Sequence, residues 1–174
     1  MPYSQIPELD ALHEFDTAHR HYYYAQGFEL YETFGNRDDL APGWSDDDAF
    51  HARLKSFAQA TAGGSIYALW QADDGARPVV VFGDEGGIHV VATGVRDLLR
   101  ILTFDVEPMV DWDRAYYFKS DEDEPSDDHD AYVTWLRGTL GLEPVDDADR
   151  LVETAQHRHA ASFKAWMEPF AQQM

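Results

Sequence analysis

Gly63-Gly64-Ser65-Ile66-Tyr67-Ala68-Leu69-Trp70, then Pro78-Val79-Val80-Val81-Phe82-Gly83-Asp84-Glu85-Gly86-Gly87, then Ile88-His89-Val90-Val91-Ala92-Thr93 is the stretch that decides the fold. It holds three short segments rich in β-branched and aromatic residues, at 65–71, 78–82 and 88–93. Asp73-Asp74-Gly75 and Gly83 to Gly87 separate them, and these are residues that close tight turns. Pro78 suits a strand start, because it has no N–H to give to a ladder. The stretch predicts an antiparallel meander over about 65–93.

Outward from the meander the period changes from two to 3.6. Val95, Leu98, Leu99 and Leu102 fall at i, i+3, i+4 and i+7, which predicts a helix over 94–103 with its apolar face on the sheet. Tyr132, Trp135, Leu136 and Leu140 mark another helix that stops at Gly141. A last helix over 147–170 carries Leu151, Val152, Ala155, Phe163 and Trp166 on one face. Upstream, Ser45 is placed to cap Asp46-Asp47-Asp48, and Phe50, Leu54, Phe57 and Ala58 recur at helical spacing. That pattern predicts a helix over 46–61, ended by Gly63-Gly64. Before it, residues 9–20 read as a helix and 27–34 as an edge strand.

The fold class is therefore α+β, an antiparallel sheet packed with several helices. The 174 residues, 44% of them apolar and 14% aromatic, suit one domain around one core. No run approaches the roughly 18 apolar residues of a membrane span, and the first residues lack the charged start and apolar stretch of a leader. Those features, with no cysteine in the chain, predict a cytoplasmic protein without disulfides or thiolate metal sites.

The charge carries the functional argument. Asp and Glu number 33 against 13 Lys and Arg, a net charge of −20, which repels nucleic-acid phosphates and anionic lipid and attracts basic surfaces. Residues 105–130 alone hold 11 acids and 2 bases, a net −9. The heart of that segment is Asp121-Glu122-Asp123-Glu124-Pro125-Ser126-Asp127-Asp128-His129-Asp130, where self-repulsion and a proline oppose regular structure. It reads as a loop or a binding face.

The meander and its flanks resemble the SUKH superfamily, which includes the yeast cell-wall assembly regulator and many bacterial immunity proteins. The resemblance lies in a Gly-Gly opening a strand that ends in an aromatic (Gly63 to Trp70), a Pro-Val strand leading into a Gly-Asp-Glu-Gly turn (Pro78 to Gly86), and a Val-Ala strand feeding a Leu-rich helix. Gly27-Phe28-Glu29-Leu30-Tyr31 is similar to the family's upstream Phe-Glu-Pro-Tyr segment, so the likeness covers about 27–104. The sequence departs from the family in its lead-in, Ala60-Thr61-Ala62, where an Asp-Gly-Thr type is usual. The helical region from about 129 to 173 carries no family motif. The resemblance implies an α+β fold and, for bacterial members, neutralisation of a toxin by covering its working surface.

No Gly-x-Ser-x-Gly elbow, Walker loop, Gly-x-Gly-x-x-Gly or His-Glu-x-x-His is present, and no cofactor is implied. Asp10, His13, Asp16 and His19 recur every three residues, and on a helix successive members are neighbours with nitrogen and oxygen donors. A solvated helix face with weak His–Asp pairs is the favoured reading, and no metal is assigned. His19-Arg20-His21 and His157-Arg158-His159 place their histidines on different helix faces. An EF-hand counted from Asp121 fails, with Pro125 at position five, Ser126 at six and Tyr132 at twelve. Tyr22-Tyr23-Tyr24 and Tyr116-Tyr117-Phe118 read as core and strand residues, though exposed tyrosines beside acids suit an interface.

The expectation is a non-catalytic protein-binding protein, an immunity protein that covers a basic toxin domain, with a nuclease favoured because such enzymes carry positive charge for phosphate. Its candidate contacts are Asp121, Glu122, Asp123, Glu124, Asp127 and Asp128, with Asp46, Asp47 and Asp48 or Asp84 and Glu85. The alternative is a regulatory or scaffold module that recruits partner proteins.

Overall fold

The structure is a computed structural model that describes residues 2–19 and 22–171. Arg20 and His21 of the first His-Arg-His triplet lie outside the described residues. The framework is a five-stranded antiparallel sheet whose spatial order follows the chain: β1 (Glu29–Leu30), β2 (Leu54–Gln59), β3 (Ile66–Trp70), β4 (Val79–Phe82) and β5 (Ile88–Ala92). The expected meander is its last three strands, with Ile66 opposite Phe82 and Leu69 opposite Val79. Gly86 and Gly87, at φ 105° and 83°, close the β4–β5 turn in a conformation that only glycine adopts at little cost.

Both faces of the sheet are covered, and the side-chain alternation sorts the two cores. Tyr67, Leu69, Val79, Val81 and Val91 point to one face, and Ala68, Trp70, Val80, Phe82 and Val90 to the other. The first face is covered by α1 (Pro7–Ala18), α3 (Val95–Ile101), α4 (His129–Trp135) and a small hairpin of β6 (Pro108–Val110) and β7 (Ala115–Tyr117). Tyr132 ties α4 to α3 by donating to the Leu99 carbonyl at 2.6 Å. The second face is covered by α2 (Asp48–Arg53) and the C-terminal part of α5 (Ala148–Ala171).

α5 packs along β5 and β7. Its Ala148 and Val152 enter the first core, while Ala155, Phe163, Met167 and Phe170 enter the second. The C-terminal helix is thus part of the packing, since removing it would uncover one sheet face. Arg53 lies over the rings of Trp70 and Trp166 at 5.5 and 5.4 Å, closing the end of that core.

The sequence reading of 46–61 as one helix is corrected here. The helix runs only from Asp48 to Arg53, and Leu54–Gln59 is a strand paired to both β1 and β3. The physical reason is a bulge between Ser56 and Ala58. It breaks the period of two, so Phe57 and Ala58, adjacent in sequence, both enter the first core while Leu54 enters the second. The resulting apolar spacing fits a helical template. The cap moves as well. Asp47 is the N-cap and accepts from Ala49 N at 2.8 Å, while Ser45 Oγ accepts from Asp47 N at 3.2 Å one step earlier. The stop at Gly141 is present, reached through a π-helical turn, Leu136–Leu140, that continues α4.

Candidate functional site

The acidic segment between β7 and α4 is a loop, and it is fastened from beneath. Asp105 follows the helical turn after α3 in the left-handed region, at φ 57°, a conformation that Asp tolerates better than most residues. Its carboxylate is 3% exposed and accepts three hydrogen bonds, from Gln26 N at 2.9 Å, Ser126 N at 2.7 Å and Ser126 Oγ at 2.7 Å. The buried charge is satisfied by donors that lie on two otherwise separate segments, 22–26 and 120–128. Further ties are Gln26 Nε2 to the Glu124 carbonyl at 3.1 Å and Asp128 N to the Tyr23 carbonyl at 3.0 Å.

His129 lies against the same anchor. Its Nδ1 faces the Tyr24 carbonyl at 2.8 Å and its Nε2 the Thr103 carbonyl at 3.1 Å. The ring is thus held between two backbone carbonyls, with the Asp105 carboxylate 3.7 Å from Nδ1. On the loop itself, Ser120 N donates to Asp123 Oδ2 at 2.7 Å and Glu122 N to Ser120 Oγ at 3.3 Å. The backbone is therefore held, while Asp121, Glu122, Asp123, Glu124 and Asp127 are exposed.

The other acids have different surroundings. Asp128 pairs with His19 Nδ1 and is half-buried. Asp46 and Asp48 flank Arg37, at 3.1 and 2.7 Å, and their hydrogen bonds, Asp48 first, raise the Arg37 pKa further. Asp47 is used in the cap. Asp84 accepts from Ser65 Oγ at 2.7 Å, and its own N–H donates to that oxygen at 3.0 Å, so it belongs to the turn. Glu85 stands exposed at the turn's tip. The structure does not gather these groups: the loop is tied to the segments over the first core, Asp46 to Asp48 begin the helix over the second, and Asp84 and Glu85 line a separate groove.

That groove, about 1330 Å³, runs between the β4–β5 turn and the C-terminal half of α5. Its apolar lining includes Trp44, Ile66, Phe82, Ile88 and Trp112, of which Trp112 is 77% exposed. The indole of Trp112 rests on the turn: a Cβ at Gly86 would lie 2.3 Å from Trp112 Cζ2, so a glycine there is what lets the ring sit.

The four residues Asp10, His13, Asp16 and His19 each turn to a different partner. Asp10 accepts from Ser4 N and Oγ, His13 stacks on Tyr3, Asp16 accepts from Tyr24 and His19 meets Asp128. Among the described residues no group of three His, Cys, Asp or Glu side chains is set to hold a metal. The two tyrosine triplets divide: Tyr24 and Tyr117 are buried, while Tyr22, Tyr23 and Phe118 are exposed.

Two residues of the candidate site escaped the sequence reading. Asp105 had one signal, an Asp at the C-terminal end of a helix, where residues tolerant of the left-handed conformation stand. Trp112 had another, an aromatic between Asp111 and Asp113 in a segment without period. No helix among the described residues is long and apolar enough to cross a membrane. Compared with protein-family models, curated proteins and solved structures, the chain matches none, so the reading of its function rests on the site itself.

Proposed function

We propose that the chain is a non-catalytic protein-binding protein, an immunity protein of the SUKH type that neutralises a cognate bacterial toxin. Its partner is a basic domain, with a nuclease the favoured class, and its place of action is the cytoplasm, where such a toxin would harm the cell. The observation that carries this reading is the fastened loop. Five exposed carboxylates, on Asp121, Glu122, Asp123, Glu124 and Asp127, project from a backbone that Asp105, Gln26 and Tyr23 hold in place.

Exposed like charges repel one another, and a free segment would spread them apart. Here the buried Asp105 bonds offset that repulsion, so the negative potential stands ready before any partner arrives. A preformed surface loses less entropy on binding, and a concentrated field raises encounter rates by roughly 10–1000-fold at low salt.

The test begins with capture of a binding protein from the source cells, followed by stopped-flow association with that purified protein across a salt series. In the variant Asp121→Asn, Glu122→Gln, Asp123→Asn, Glu124→Gln, association should slow by about tenfold or more at low ionic strength, and its salt dependence should flatten. Unchanged rates and slope would remove the loop as the contact.

A further inference from the structure

The groove beside α5 has three properties seldom found together on an unpartnered surface. The first is size. Small-molecule sites run to about 300–1000 Å³, and this one is about 1330 Å³, which suits a length of chain better than a metabolite. The second is its floor, made of sheet residues Ile66, Phe82 and Ile88 with Trp44 and Trp112 at the sides. On the α5 wall stand Ala160, Ala161 and Ala165, small side chains that let another backbone approach closely.

The third is charge. Among the described residues, Asp84, Glu85, Asp113 and Glu168 line the groove against one full cation, Lys164, a difference of four acids and one base, or −3. Second copies of a chain with a net charge of −20 are repelled from such a rim. A cationic segment is attracted to it.

Trp112 supplies the anchor. It is the most exposed large apolar side chain described, at 77%, yet its ring rests against the turn, because Gly86 leaves room for the indole and Gly87 for the Asp111 backbone just before it. A large aromatic held in place before contact loses little rotamer freedom on binding, the property of residues that dominate protein interfaces.

We propose that this groove docks an amphipathic helical segment of a protein partner, with apolar side chains on its inner face and Lys or Arg along its edges. It lays the apolar stripe on Ile66, Ile88 and Trp112 and sets its cations beside Asp84, Glu85, Asp113 and Glu168. This surface is separate from the acidic loop, and the inference does not require the toxin reading.

The test uses a defined probe, a fluorescent amphipathic peptide of about 16 residues with leucines on one face and lysines on the other. Its counterpart carries glutamates in place of the lysines. Binding is followed by anisotropy at about 0.15 M salt, where unfocused charge attraction is screened beyond about 8 Å. The lysine peptide should bind saturably. Trp112→Ala and Ala161→Trp, the latter filling the groove from an exposed helix position, should each weaken it tenfold or more with melting unchanged. Asp113→Asn with Glu168→Gln should erase the preference over the glutamate peptide.

Equal affinity in wild type, Trp112→Ala and Ala161→Trp overturns the proposal, as does equal binding of both peptides. So does a wild-type dimer in sedimentation that Trp112→Ala converts to monomer, since the occupant is then a second copy. The variant with a neutralised 121–124 loop should bind the peptide as wild type does. If binding is lost in that variant alone, the groove is excluded and the loop reading stands.

Discussion

Replacing Asp105 tests whether the acidic loop is held or merely drawn in one pose. Asp105→Ala removes the acceptor of three hydrogen bonds, at 2.9, 2.7 and 2.7 Å, and leaves Gln26 N and Ser126 N without it. Leaving a buried donor without its acceptor costs about 1–3 kcal/mol, and two backbone donors are affected here. An alanine at φ 57° adds about 1–2 kcal/mol of strain. One effect runs the other way, since losing a negative charge relieves repulsion from Asp121 to Asp127. Those groups are exposed and screened, and surface pairs are worth under about 1 kcal/mol, so the loss dominates. Net destabilisation should reach about 3 kcal/mol or more, a fall in the urea midpoint of about 1–2 M. Asp105→Asn keeps one acceptor oxygen and tolerates the left-handed backbone, and should cost about 1–2 kcal/mol. The loop can let go without the domain unfolding, so amide exchange at Ser126 is the second readout. It should speed by about 100-fold in the alanine variant, about 1.4 kcal/mol per factor of ten. Wild-type midpoints together with wild-type exchange at Ser126 in Asp105→Ala would refute the anchoring argument.

Alkaline pH should unfold the protein cooperatively. Burial pushes the pKa values of Tyr24, Tyr67, Tyr117 and Tyr132 above 10.0, helped by Asp16 at Tyr24, while burial and then Asp39 take the half-buried Tyr31 to about 12. Above pH 10 the unfolded chain releases these protons and the folded one keeps them, so the folded state binds more protons and stability falls as pH rises. Each buried tyrosine removes about 1.4 kcal/mol per pH unit in that window, and four together exhaust an ordinary stability within about two units. The tyrosinate absorbance of the buried set should therefore rise together with the loss of far-UV dichroism, and ionisation of that set near pH 10 with the dichroism intact would contradict this. Gly86→Ala should cost about 1–2 kcal/mol from the positive φ alone. Its Cβ would also press on Trp112, so peptide binding in the groove should weaken with it; wild-type melting would show that the turn does not need a glycine.

What was legible in the sequence is what local signals encode. Strands β3 to β5 were readable because glycine turns bound them, and α3 and α5 because their apolar stripes keep one period over several turns. Strand β2 was not readable. Its period is broken by a bulge, and a sheet covered on both faces removes the polar half of the alternation that marks a strand. The hairpin of β6 and β7 was hidden for a different reason. Acids crowd the same segment, so charge outweighed the short runs Pro108–Val110 and Ala115–Tyr117 that pair only in the folded chain.

The acids were countable in the sequence, but their roles were not, because a carboxylate's role depends on what faces it. Asp105 is one of the 11 acids of residues 105–130, and it is the one that accepts charge-assisted bonds from two distant segments rather than facing a partner. Asp46 and Asp48 spend their charge on Arg37, and Asp47 spends its own on a helix end. Neutralising those residues would change stability and local structure together, which blurs any binding result. Asp121 to Glu124 and Asp127 are the acids that can be neutralised with little effect on the fold. Asp121, Glu122, Glu124 and Asp127 make no such tie on the loop, and Asp123→Asn keeps an oxygen to accept from Ser120 N, so a change in association rate there reports on binding.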